Sequence, residues 1–102
     1  RKCSLSAYCV AKIEIHDPSR YAKYSEGFME ILERYKGRVL SVDENPTVLE
    51  GTWSSTRTVI LEFENKKSAL TWYQSVEYQR LAKSRFASST GDVVIIRGID
   101  KG

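Results

Sequence analysis

Along this chain of 102 residues the hydrophobic period moves between two and about 3.6 residues, back and forth, and that alternation limits the possible folds more than any other feature. From Tyr8 to Ile15 apolar and polar residues alternate. Cys9, Ala11, Ile13 and Ile15 share one face, and Tyr8, Val10, Lys12 and Glu14 share the other, as in a strand. Asp17-Pro18 then signals a helix start, because aspartate accepts free N–H groups and proline suits the first helical position. Tyr21, Tyr24, Phe28, Ile31, Leu32 and Tyr35 follow as one apolar helical stripe, with Gly37 as the expected stop. A second strand is expected near Arg38–Val42, broken by Asn45-Pro46, with Val48-Leu49-Glu50 as a short additional strand.

After a Ser54-Ser55 turn, the segment Arg57 to Glu64 alternates most clearly: Val59, Leu61 and Phe63 against Thr58, Ile60 and Glu62. Asn65 can cap a helix in which Ala69, Trp72, Tyr73 and Val76 share a face. Ser75 reads as a second cap, restarting the helix with a stripe of Tyr78, Leu81, Ala82, Arg85 and Phe86. Gly91 is expected to end that connection, and Val93 to Ile96 to form the last strand. Strand, helix, two or three strands, helix, strand is the βαββαβ order. With right-handed crossovers it gives an α+β, ferredoxin-like antiparallel sheet with both helices on one face, one domain over residues 1–102.

That architecture leaves a face uncovered. The last strand is apolar on both sides, and Ile60 stands on the second face of its strand. An uncovered apolar patch usually marks an interface, and two-fold pairing is the simplest closed solution. A homodimer follows as the expectation, tempered by Lys12, Glu14 and Glu62 on the same face.

Composition agrees with one globular unit: 41% hydrophobic residues, 28% charged and a net charge of +3 spread over mixed-sign segments. Neither nucleic acid nor a membrane is expected as a partner, since no stretch approaches the ~20 apolar residues of a span. Arg1-Lys2-Cys3-Ser4 has no long apolar run behind it, so no signal peptide is visible, although the processed form of a longer precursor would look the same. Cys3 and Cys9, if both lie on the first strand, stand about 20 Å apart, beyond the ~7 Å reach of a disulfide. No internal disulfide is expected, which fits a reducing, cytoplasmic setting. Cys9 reads as a small buried hydrophobe and Cys3 as part of an exposed end, with a reactive thiol as the alternative.

Several spacings together resemble the mostly bacterial family of small proteins called domain of unknown function thirteen-thirty, within the dimeric α+β barrel superfamily. They are Asp17-Pro18 with Tyr21 and Tyr24, Tyr35-Lys36-Gly37-Arg38, Leu49-Glu50-Gly51-Thr52-Trp53, Arg57, Leu61-Glu62-Phe63, Ala69, Trp72-Tyr73-Gln74-Ser75, Glu77-Tyr78 and Arg85. Val76 departs from the proline usual after that serine, and Ser54-Ser55 from a more proline-rich turn. The resemblance implies a dimer whose two sheets face each other, and it implies no reaction.

A ligand pocket is expected from Tyr24, Trp53, Trp72, Tyr73, Tyr78 and Arg85. Arg85 shares a helical stripe with apolar residues, and a buried arginine requires an anion. Glu62 and Glu50 are internal candidates, a ligand carboxylate the external one, and snorkelling past the helix edge a further alternative. Residues such as Trp72 and Tyr73 are more often core and rim than ligand stackers, but their N–H and O–H groups need partners when buried, which suits a partly polar cavity. Glu62, pushed into an interface, could become a general base, though an ion pair with Lys12 or an arginine accounts for it as well. His16, the single histidine, offers a proton shuttle, with an exposed loop residue as the simpler alternative. With one histidine and two distant cysteines, neither a metal nor a cofactor is expected. Phosphate-loop, nucleophile-elbow and H-E-x-x-H patterns are absent. RNA-recognition modules share this topology, but their third strand carries glycine and aromatics where this one has Glu62. Two functions stay open: a homodimeric module binding a small, partly apolar molecule, anionic if Arg85 serves it, and a cofactor-independent enzyme of monooxygenase or isomerase type.

Overall fold

A computed structural model describes residues 6–53 and 56–99. Cys3 and the Ser54-Ser55 turn therefore lie outside the described residues. The elements are β1 (Ala7–Ile15), α1 (Pro18–Arg34), β2 (Arg38–Asp43), β3 (Arg57–Phe63), α2 (Lys66–Gln74), α3 (Val76–Ser88) and β4 (Ser89–Arg97). The strands form one antiparallel sheet in the order β2-β3-β1-β4. This is the α+β, ferredoxin-like arrangement.

The helix starts follow local chemistry. Asp17 Oδ1 accepts from the Arg20 N–H at 3.3 Å, and Asn65 Oδ1 from the Ser68 N–H at 2.8 Å. Ser75 Oγ accepts from the Tyr78 N–H at 3.1 Å, so one serine closes α2 and opens α3. The axis changes at that cap, and Val76, expected on the face of Ala69 and Trp72, is instead 67% exposed. On α3, Tyr78, Ala82, Arg85 and Ser88 are buried, whereas Phe86 is exposed.

The end of α1 corrects another expectation. The left-handed residue is Lys36, at φ 63°, and not Gly37. The Lys36 N–H donates to Glu33 O and the Gly37 N–H to Leu32 O, both at 3.0 Å, the paired bonds of a Schellman end. Glycine is needed at 37 for space: a Cβ there would lie 2.6 Å from both Leu32 Cδ1 and Phe63 Cε2.

Two further segments differ from the sequence reading. Val48–Glu50 is no strand: it pairs with none of the four strands, and Leu49 stands 90% exposed. β4 begins at Ser89, earlier than expected, because it pairs with β1 over its whole length, from Ile15↔Ser89 to Ala7↔Arg97. Gly91 is thus inside the strand opposite Ile13, where a Cβ would meet the Lys12 carbonyl oxygen at 3.0 Å.

The core lies between one sheet face and the helices: Cys9, Ala11 and Ile13 from β1 and Val59, Leu61 and Phe63 from β3, under Tyr24, Leu32, Trp72 and Ala82. A bulge in β2 adds Leu40 between the pairs Val39↔Leu61 and Ser41↔Ile60. The extra residue restores the parity so that Val39 and Val42 both face inward. Among the described residues no helix covers the outer sheet face. There Tyr8 sits between Glu62 and Ile96, Val10 between Ile60 and Val94, and Lys12 between Thr58 and Asp92. Val94 is 53% and Ile96 50% exposed.

Candidate ligand cavity

Between sheet and helices the core is incomplete, leaving a cavity of about 150 Å³. Strand alternation places Cys9, Ala11 and Ile13 along its floor, with Val59 and Leu61 beside them. Helical spacing brings Tyr21, Tyr24 and Phe28 down onto it from α1, and Trp72, Tyr78 and Arg85 close it from α2 and α3. Aromatic rings dominate this end. Trp72 packs against Phe28, Phe63, Tyr73 and Tyr78, with centroids 4.3–6.2 Å apart.

Arg85 is the only charged residue in the buried core of the described chain, at 5% exposure. Its guanidinium carbon lies 5.8 Å from the Tyr24 ring centroid and 4.8 Å from that of Phe86. Among the described residues no carboxylate pairs with it, so the expected bridge to Glu62 or Glu50 is not formed. Glu62 is instead held by Arg38, with Nε 2.6 Å from Oε1, on the opposite face of the sheet. A β-strand sends neighbouring side chains to opposite faces, and Glu62 falls on the face without helices. Arg85 Nε and Trp72 Nε1 are both buried without a hydrogen-bond partner among the described residues.

The groups around Arg85 supply no anion. Burial pushes the Cys9 thiol up to about 11, against a smaller opposing pull from Arg85. Burial likewise raises Tyr24, reinforced by Tyr78, and raises Tyr78 and Tyr21 despite the nearby arginines. Tyr24 and Tyr78 share a buried hydroxyl–hydroxyl bond of 2.8 Å. For Arg85 burial works against the charge, but Tyr78 and Tyr24 outweigh it and the net shift is upward. At neutral pH the cavity therefore holds a guanidinium among neutral phenols and a neutral thiol. The other arginine on the cavity, Arg57, is compensated: its Nη1 bonds Glu44 Oε2 at 2.7 Å, and it lies over the Tyr21 ring at 5.7 Å.

Of the residues picked from sequence, Tyr24, Trp72, Tyr78 and Arg85 meet at this cavity. Trp53 does not. It precedes β3 on the outer side, where its Nε1 donates to Thr58 Oγ1 at 3.0 Å and Lys12 Nζ stands 5.0 Å from its ring centroid. Tyr73 backs the wall instead of forming it, packed edge-on against Trp72 and tilted against Tyr78. Glu62 and His16 are outside; His16 Nε2 bonds Thr90 Oγ1 at 2.8 Å at the end of β1. Tyr21, Phe28 and Arg57 also line the cavity without having been expected there; for Arg57 the available signal is its parity with Val59, Leu61 and Phe63, and for Tyr21 and Phe28 their place on the helical stripe of Tyr24. Among the described residues no group of histidine, cysteine, aspartate and glutamate is spaced to hold a metal ion, and no helix is long and apolar enough to cross a membrane.

Residues 6–99 match the family described as Domain of unknown function (DUF1330). The chain belongs to that family. No curated protein matches it in sequence. Among solved structures it is similar to the RPA0582 protein of unknown function from Rhodopseudomonas palustris, at 14% identity, covering 95% of this chain and 85% of that one with a TM-score of 0.81. It is also similar to SnoaB, a cofactor-independent oxygenase from Streptomyces nogalater, at 11% identity, 96% and 97% coverage and a TM-score of 0.66. A dimeric ferredoxin-like protein of unknown function from Thermobifida fusca aligns at 5% identity over 92% of both chains, with a TM-score of 0.62. At these identities the likeness is one of fold.

Proposed function

We propose that this DUF1330 member is a homodimeric, cytoplasmic module that binds a small, partly apolar, anionic molecule in the cavity between sheet and helices. One observation carries the reading: Arg85 is buried, stays cationic, borders a cavity and has no anionic partner among the described residues. A buried charge left alone is costly, so a fold retaining one is completed by a counter-ion from outside. A panel of small organic acids tests this by thermal shift. At least one acid is expected to raise the melting temperature of the native protein, and Arg85→Met is expected to remove that shift while still folding, since a hydrophobe of similar volume replaces an unpaired ion. No stabilising acid, or a shift that survives Arg85→Met, overturns the reading.

The homodimer rests on the outer sheet face, where Val10, Ile60, Val94 and Ile96 form an apolar surface that no helix covers. The Thermobifida relative's description as dimeric supports it. Lys12, Asp92 and the Arg38–Glu62 pair give that face mixed charge, which suits a second copy better than nucleic acid or a membrane surface. Light scattering at micromolar concentration is expected to return twice the chain mass; the monomer mass would remove this part of the proposal.

A cofactor-independent enzyme is the second reading, supported by a cavity adjoining Arg85 and the Tyr24–Tyr78 pair. Glu62 and His16, the acid–base residues expected for it, lie outside that cavity, so its chemistry would have to run on phenols and the guanidinium.

A further inference from the structure

The size, lining and charge of the cavity together specify more than an anion. Its volume of about 150 Å³ is that of an apolar cavity that holds one benzene ring. The walls suit such a ring: Tyr24, Phe28, Trp72 and Tyr78 present aromatic surface over an aliphatic floor of Ala11 and Leu61. Among the described residues no aspartate or glutamate lines it, so no carboxylate there repels an anion.

The two arginines fix the orientation. Arg57 already has Glu44, is partly exposed and lines the cavity, whereas Arg85 is buried and has no countercharge among the described residues. Trp72, also a lining residue, has a second buried donor, its indole N–H, without a partner among the described residues. A planar carboxylate matches a guanidinium in geometry as well as in charge. Resting on the cavity reading above, we infer that the ligand class is a single-ring arene carboxylate, benzoate in its simplest form, with the carboxylate against Arg85 and the ring among Tyr24, Phe28 and Trp72.

Calorimetric titration of the full chain tests this with four probes: benzoate, benzamide as its neutral counterpart, acetate as the charge without a ring, and 2-naphthoate as two rings. Benzoate is expected to bind about 50-fold more tightly than benzamide, the ratio for a charge-assisted contact in a buried site. Acetate and 2-naphthoate are expected to give no measurable heat. Arg85→Met is expected to lower benzoate affinity by about the same 50-fold and to leave benzamide nearly unchanged, which separates loss of the charge contact from loss of the fold. Benzamide binding as tightly as benzoate, or 2-naphthoate binding better than both, overturns the inference. If other acids stabilise the protein through Arg85 and benzoate does not, the ring class falls and the cavity reading stands. If no acid binds, both fall.

Discussion

Trp72→Ala is expected to cost about 4 kcal/mol in stability, as for other fully buried tryptophans. The residue is 2% exposed, bridges α2 to the sheet through Phe63, and contacts α1 and α3 through Phe28 and Tyr78. Its truncation would enlarge a cavity that the native chain already contains, and neighbours anchored in three helices and a strand cannot collapse to fill it. Small domains hold only about 5–15 kcal/mol in total, so the variant should unfold at markedly lower urea, with a melting temperature lower by roughly 20 °C. Trp72→Phe separates two effects. It removes volume, which destabilises, and it removes an indole N–H that is buried without a partner, which relieves a desolvation cost of about 1–3 kcal/mol. Its net cost is expected to be about 1 kcal/mol. An unfolding free energy from urea denaturation within about 1 kcal/mol of native for Trp72→Ala would mean that the indole is not packed as described.

Gly37→Ala is expected to destabilise by about 3 kcal/mol, the upper range for overpacking a filled core. At a permissive site this exchange would stabilise slightly, by restricting the unfolded chain. Here the added methyl meets Leu32 and Phe63, both essentially buried, at 2.6 Å, and neither has room to turn aside. The adjacent position makes the matching control. Lys36 carries the left-handed conformation that closes α1, so Lys36→Gly should stabilise by about 1 kcal/mol. Chemical denaturation of both variants reads the contrast directly. A neutral Gly37→Ala would show that the end of α1 packs more loosely against β3 than the structure has it.

Much of the fold was legible because it rests on local signals. Asp17, Asn65 and Ser75 cap where short polar side chains precede apolar runs, and β1 and β3 alternate cleanly because each buries only one face. The misreadings fell where a distant partner decides. β4 starts at Ser89 because β1 is there to pair with it, and Gly91, which reads as a breaker, is what lets those two backbones approach. Val48–Glu50 has the composition of a strand and pairs with none of the four strands.

The candidate site divides in the same way. Helical spacing alone places Arg85 on an apolar stripe with Tyr78 and Ala82, and the structure buries all three. What spacing cannot give is the countercharge, which depends on where other chain segments bring their carboxylates. β3 turns Glu62 to the far face, where Arg38 takes it, and the loop after β2 brings Glu44 to Arg57. Periodicity along the chain therefore determined the βαββαβ order, the helix caps and the apolar stripe that carries Arg85, because those depend on neighbours a few residues away. Tertiary structure alone decided that Arg85 borders a cavity and has no anionic partner among the described residues, because both depend on groups brought together from separate strands and helices.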